Sequence, residues 1–175
     1  MAYHEDYPAH YDEFINDFAE IITSKDEEAI KAVTQTLRSQ RGIPIVVVTI
    51  GTIHDYTSGH NTIEGFATGL FNNWGIGSRE KNMGILLLVA KEDRKLRIEL
   101  GAGYGRRLDR ECKAIVDKVI VPQFKKGDLS GGIVLGVKAI DQMLRGKPPV
   151  PLTQKQQITH FIIDVVLLIT VISLV

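Results

Sequence analysis

One cysteine, Cys112, stands in a chain of 175 residues, which excludes an intramolecular disulfide and leaves the redox compartment open. It lies among Ile115, Val116 and Val119 at helical spacing, the pattern of a small core residue. No histidine stands near it in sequence to activate the thiol as a nucleophile. The chain also lacks an excess of either charge: 21 Lys and Arg balance 21 Asp and Glu. Phosphate recognition needs a cationic excess or patch, so nucleic acid is not expected as a partner. The histidines at 4, 10, 54, 60 and 160 have no zinc spacing, and no serine sits in G-x-S-x-G. The run Gly101-Ala102-Gly103-Tyr104-Gly105 fails as a dinucleotide fingerprint because Arg106 stands where the third glycine belongs. A tight turn that brings backbone close to another element accounts for it better.

Met1 to His10 has neither the apolar stretch nor the small-residue cleavage site of a signal peptide. Residues 1–10 are expected to be a disordered lead-in or a remnant of cloning. The protein either stays in the cytoplasm or has had a leader removed.

What is present begins with an ordinary apolar content of 44%, enough for one domain with a sizeable core. The tail differs sharply. From Ile158 to Val175 only His160 and Asp164 are strongly polar. As a helix this run would be about 27 Å long, close to the hydrocarbon thickness of a bilayer. Asp164 would cost roughly 2.5–3.5 kcal/mol at the centre of a span, but it lies early in the run, where the interface is within reach. The run is read as the start of a transmembrane helix, with a core or partner-binding helix as the alternative. Pro148, Pro149 and Pro151 make residues 146–157 a stiff linker. The folded domain is therefore expected over residues 11–145.

Inside it, Ser24-Lys25-Asp26-Glu27 fits a capping box with Ser24 as the cap. Ala29, Ile30, Val33 and Leu37 then lie on one helical face, and Gly42 ends the helix. The β-branched, apolar run Ile43–Ile50 predicts a strand buried on both faces. Asn61 or Thr62 caps a second helix through Trp74, with Ala67, Leu70 and Phe71 at helical spacing. Gly84–Ala90 is a second buried strand. A short turn, Lys91–Arg94, leads to the alternating run Lys95–Leu100, which predicts an antiparallel, half-exposed strand. Two further helices follow, about Asp109–Phe124 and Asp128–Leu144, with Pro122 kinking or ending the first. The fold class is α/β, a three-layer α/β/α sandwich with a small mixed sheet, plus the C-terminal hydrophobic helix.

Loops at strand ends are where α/β sheets bind ligands. Asp17, Asn82 and Asp109 are the oxygen donors expected there, and together they could hold a hard cation such as Ca²⁺ or Mg²⁺. The competing reading has Asp109 capping its helix and Asp17 forming a turn.

Several phrases, in order and spanning about residues 12–145, resemble the TPM-domain family. They are Phe14-Ile15-Asn16-Asp17-Phe18-Ala19, Ile45-Val46-Val47-Val48-Thr49, Trp74-Gly75-Ile76-Gly77, Gly84-Ile85-Leu86-Leu87-Leu88-Val89, Asp93-Arg94-Lys95-Leu96-Arg97-Ile98-Glu99, Gly101-Ala102-Gly103, and Val121-Pro122-Gln123-Phe124-Lys125-Lys126-Gly127-Asp128. The family includes thylakoid-lumen proteins linked to photosystem II repair and bacterial membrane-anchored or secreted proteins. The resemblance implies an α/β/α sandwich, a removed leader, an extracytoplasmic domain and a membrane span after it. Plant members have been described as calcium-binding and as weak acid phosphatases. Asp17 and Asp109 look like two of the family's aspartates. Two departures stand out. Asn82-Met83-Gly84 replaces the usual Asp-Asn-Gly, and Arg106 and Arg107 replace an acid after the glycine turn. Losing anionic ligands weakens a cation site, while a guanidinium pair suits an anion or a partner's carboxylate. The expectation is a membrane-anchored, non-catalytic binding or accessory module for a membrane-protein partner. The alternative is a weak divalent-cation-dependent acid phosphatase.

Overall fold

In a computed structural model that describes residues 5–147, β2 (Ile45–Ile50) and β3 (Ile85–Ala90) lie at the centre of a four-stranded sheet. Every residue of both is buried. The reason is their alternation in two directions. Ile45, Val47, Ile85, Leu87 and Val89 feed one core cluster, while Val46, Val48, Ile50, Leu86, Leu88 and Ala90 feed the other. A sheet covered on both faces reads as a continuous apolar run.

The sheet order is β1-β2-β3-β4. β1 (Ile15–Asp17) pairs parallel to β2, β2 pairs parallel to β3, and β4 (Lys95–Leu100) closes the hairpin antiparallel to β3. The mixed sheet and half-exposed last strand are as the sequence suggests. β1 is an addition. It has three residues, and only Ile15 and Asn16 are buried, so periodicity had nothing to read. Asn16 holds it in place: its side-chain carbonyl accepts from the Tyr11 and Asp12 N–H groups, and its amide donates to the Asp12 carbonyl.

One face of the sheet is covered by α1 (Ser24–Arg41), α5 (Leu129–Leu144) and α3 (Asp109–Ile115). α2 (Ile63–Trp74) covers the other. Thr62 caps α2 through the Gly65 N–H. The cap of α1 is Thr23, not Ser24: its hydroxyl accepts from the Asp26 N–H and donates to the Asp26 carboxylate. The cap therefore lies one residue earlier than Ser24-Lys25-Asp26-Glu27 suggests, and it is not a reciprocal box, because the Thr23 N–H donates to the Ser130 hydroxyl and not to Asp26. Gly42 takes the left-handed conformation that ends α1.

α3 runs on through a π-helical stretch, Val116–Ile120, into α4 (Val121–Phe124). The Val121 N–H reaches back to the Val116 carbonyl. Pro122 has no N–H for the next rung, so the register slips one residue early instead of breaking. Asp128 caps α5 through the Gly131 N–H.

Residues 5–10, expected to be unstructured, lie over α2. Tyr7 packs edge-on against Phe66, His10 stacks on Trp74, and the Trp74 indole donates to the Pro8 carbonyl. No helix among the described residues is long and apolar enough to cross a membrane. The proline linker from Pro148 and the apolar run 158–175 lie outside the described residues.

Candidate functional site

Asp17 ends β1, at the carboxyl end of the three parallel strands. Its carboxylate accepts from the Ile21 and Ile22 N–H groups, at 3.2 and 2.9 Å, and from the Thr49 hydroxyl. It thus folds the loop between β1 and α1 back onto β2. Asn82 lies at the other end of the sheet. It adopts a left-handed backbone, φ 43°, which asparagine tolerates better than most residues. Its carbonyl accepts from the Gly103 N–H.

Register gives the separation. Asp17 aligns with Thr49, Thr49 with Val89 and Val89 with Leu96. Gly101 N–H, by contrast, donates to the Gly84 carbonyl beside Asn82. Five residues of strand, about 16 Å, separate the two rows. Ligands of one Ca²⁺ lie at about 2.3–2.6 Å from the ion. Asp17 and Asn82 therefore do not meet at one ion. Asp109 follows the carboxyl end of β4, on the Asn82 side of the sheet. It is the first residue of α3, exposed, with Leu108 in the cap position and no side-chain cap bond. Its charge suits the positive end of the helix. Among the described residues no group of three or more His, Cys, Asp or Glu is placed to hold a metal.

The glycine turn does what its sequence suggests. A Cβ on Gly101 would stand 2.1 Å from the Asn82 carbonyl oxygen, and one on Gly103 would stand 2.1 Å from that of Lys81. Only glycine lets the turn lie flat on the 81–84 loop. Within it, the Arg107 guanidinium donates to the Tyr104 and Gly103 carbonyls. Arg107 is thereby occupied in holding its own turn, whereas Arg106 is exposed. The Tyr104 hydroxyl donates to the Met83 carbonyl, and burial pushes its pKa up to about 12. Burial, helped by Asp109, likewise pushes the Cys112 thiol up to about 12. That removes it as a nucleophile.

The open features of the domain gather instead on β4, an edge strand. Because 84 and 101 form a hydrogen-bonded pair, alternation makes 86/99, 88/97 and 90/95 the bonded pairs. The N–H and C=O groups of Leu96, Ile98 and Leu100 therefore point to the open edge. A groove of about 570 Å³ runs along the strand, walled by Glu64 of α2 and by Asp109, Lys113 and Asp117 on the α3 side. Arg97 pairs with Glu99 at 3.0 Å and Lys113 with Asp117, which leaves Glu64 and Asp109 to set the groove's charge. A second cleft, of about 590 Å³, opens where the β3–β4 turn meets the α4–α5 turn. Neither groove is visible in sequence, since each is built from segments that only the fold brings together.

A four-stranded mixed sheet with helices on both faces, its glycine turn locked under the second parallel crossover, defines an α/β domain of one recurring kind. The TPM domain as a family matches residues 15–143, and the chain belongs to that family. Three solved structures are similar. The N-terminal domain of a Porphyromonas gingivalis protein has 28% identity and a TM-score of 0.64, covering 81% of this chain and 88% of that one. The N-terminal domain of a Corynebacterium glutamicum protein has 17% identity and a TM-score of 0.58, covering 81% and 87%. A protein from the psychrophile Bizionia argentinensis has 22% identity and a TM-score of 0.60, covering 78% and 89%. The last two share the fold alone. No curated protein matches.

Proposed function

We propose that this TPM domain is a non-catalytic accessory module that binds an extended segment of a membrane-protein partner along β4, held near the membrane by the apolar run 158–175. The observation that carries the reading is the open edge, with outward backbone groups at Leu96, Ile98 and Leu100 beside a groove of its own length. Strand addition to a free edge supplies main-chain hydrogen bonds, and the walls supply selectivity. Glu64 and Asp109 favour a segment carrying lysine or arginine. The exposed Arg106, next to Gly105 at the groove's end, suits a carboxylate of the same partner. The extracytoplasmic placement of the domain, reached after removal of a leader, follows from the family resemblance and belongs to the same proposal.

The competing reading is a divalent-cation-dependent acid phosphatase with Asp17, Asn82 and Asp109 around Ca²⁺ or Mg²⁺. It is disfavoured by the span between Asp17 and Asn82 and by the use of the Asp17 carboxylate in its own loop.

The test places a photo-reactive residue at Lys113 of the full chain in membranes of the source organism. The expected result is one discrete adduct with an integral membrane protein. It should disappear in the Leu100→Pro variant, which removes an outward N–H without touching the ladder to β3. Circular dichroism should show that the variant stays folded. An adduct that survives Leu100→Pro, or no adduct at all, contradicts the proposal. Release of p-nitrophenol from p-nitrophenyl phosphate only when Ca²⁺ or Mg²⁺ is added would establish the phosphatase instead.

A further inference from the structure

We infer that the cleft between the β3–β4 turn and the α4–α5 turn binds a small anionic amphiphile, an apolar chain ending in a carboxylate or phosphate. This goes beyond the β4 edge, from which it is a separate cleft that shares only Leu96.

The floor is apolar, made by Leu96, Val121, Phe124 and Leu129. All four are only partly buried, so the domain leaves apolar surface here uncovered. The rim is cationic: Lys91, Arg94, Lys95 and Lys125 line it, and no carboxylate does. That one-sidedness is unexpected from sequence, because the turns are Lys91-Glu92-Asp93-Arg94 and Lys125-Lys126-Gly127-Asp128. The fold sorts their charges. Asp93 is turned away to accept from the Thr52 hydroxyl and the Ile53 N–H. Glu92 lies toward Gly51, where a Cβ would stand 3.4 Å from its carboxylate oxygen. The Asp128 carboxylate is taken by the Gly131 N–H at the start of α5. None of the three acids lines the cleft, although Asp93 still attracts Lys95 from behind the turn, and four cations stand over an apolar floor.

The volume, about 590 Å³, lies within the range of roughly 300–1,000 Å³ typical of small-molecule pockets. A low-dielectric floor under a ring of like charge concentrates anions. A purely polar anion would gain nothing from the floor, and a neutral chain would gain nothing from the rim. Phe124 shapes the wall. A Cβ on Gly132 would stand 2.7 Å from the Phe124 ring, so glycine at 132 lets the ring pack close against α5.

Residues 5–147 contain both core clusters, and the similar domains from P. gingivalis and C. glutamicum have solution structures as N-terminal domains. The domain is thus suitable for titration by amide NMR, free of the apolar tail. Decanoate is the probe. Decyltrimethylammonium has the same tail with the opposite charge, and acetate has the head without the tail. Saturable decanoate shifts centred on Leu96, Val121, Phe124 and Leu129 are expected, with neither control saturating. Reversing three charges, in Lys91→Glu, Lys95→Glu and Lys125→Glu together, should weaken decanoate roughly tenfold or more. Gly132→Ala, which leaves every charge in place, should weaken it by pushing the ring into the cleft. Equal binding of the cationic detergent, or decanoate shifts centred elsewhere, overturns the inference. Vesicles separate the two sources of such a ligand. Monomeric decanoate binding without co-sedimentation of the protein with phosphatidylglycerol vesicles marks a free amphiphile, and co-sedimentation that decanoate competes away marks a lipid headgroup. Co-sedimentation with no monomer binding contradicts the site.

Discussion

At residue 101 a single carbonyl decides the side chain. The Asn82 oxygen stands where a Cβ would be, and it belongs to backbone that is itself bonded to Gly103, so it has little room to yield. Gly101→Ala is expected to cost about 3 kcal/mol through overpacking, read as a fall in the urea midpoint. Gly59→Ala is the contrasting case. Nothing lies within 4 Å of its Cβ and φ is 74°, so only backbone strain of about 1 kcal/mol is expected. Cys112 gives a second prediction at this scale. With a thiol pKa of about 12, only about one molecule in ten thousand carries the thiolate at pH 8. Iodoacetamide should label it in urea and leave it unmodified in the native domain.

Among the elements, the starts of α1 and α5 are tied to each other through shared hydroxyls. The Ser130 hydroxyl accepts from the Thr23 N–H and donates to the Asp26 carboxylate, which also receives the Thr23 hydroxyl. Ser130→Ala leaves a partly buried N–H without its partner and should cost about 2 kcal/mol. Thr23→Ala loses the cap and should cost about 1 kcal/mol. Because both act through Asp26, the double variant should cost less than their sum, which a denaturation cycle over the four proteins reads directly. The central strands, α2 and α5 were legible in the sequence because burial imposes a period or an unbroken apolar run. The cap of α1 was misplaced by one residue because Thr23 and Ser24 both carry a hydroxyl, and only the backbone geometry at Thr23 distinguishes them. β1 was illegible because one buried asparagine and its contacts to residues 11 and 12 hold it, not a pattern of its own. The family was legible from its short phrases. The candidate site was not, since the β4 groove and the cationic cleft each join segments distant in sequence.

For the molecule as a whole, two carboxylates tie distant parts together. At Asp93 burial opposes ionisation, but the Ile53 N–H, the Thr52 hydroxyl, His54 and Lys95 outweigh it and hold the pKa below the usual carboxylate value. Asp12 behaves alike: burial is outweighed by the Ile15 and Phe14 N–H groups and by Lys31. A lowered folded pKa stabilises above the unfolded value of about 3.9, and that stability is lost as pH falls through the folded value. The urea midpoint should therefore drop between about pH 5 and pH 2, and Asp93→Asn should flatten the drop.

The same use of carboxylates as structural ties supports the proposal that this TPM domain acts by recognition and not by metal chemistry. The most direct measurement is an amide NMR titration of residues 5–147 with Ca²⁺ into the millimolar range. The expected result is no saturable shift shared by Asp17, Asn82 and Asp109. Saturation of all three with one dissociation constant would contradict it.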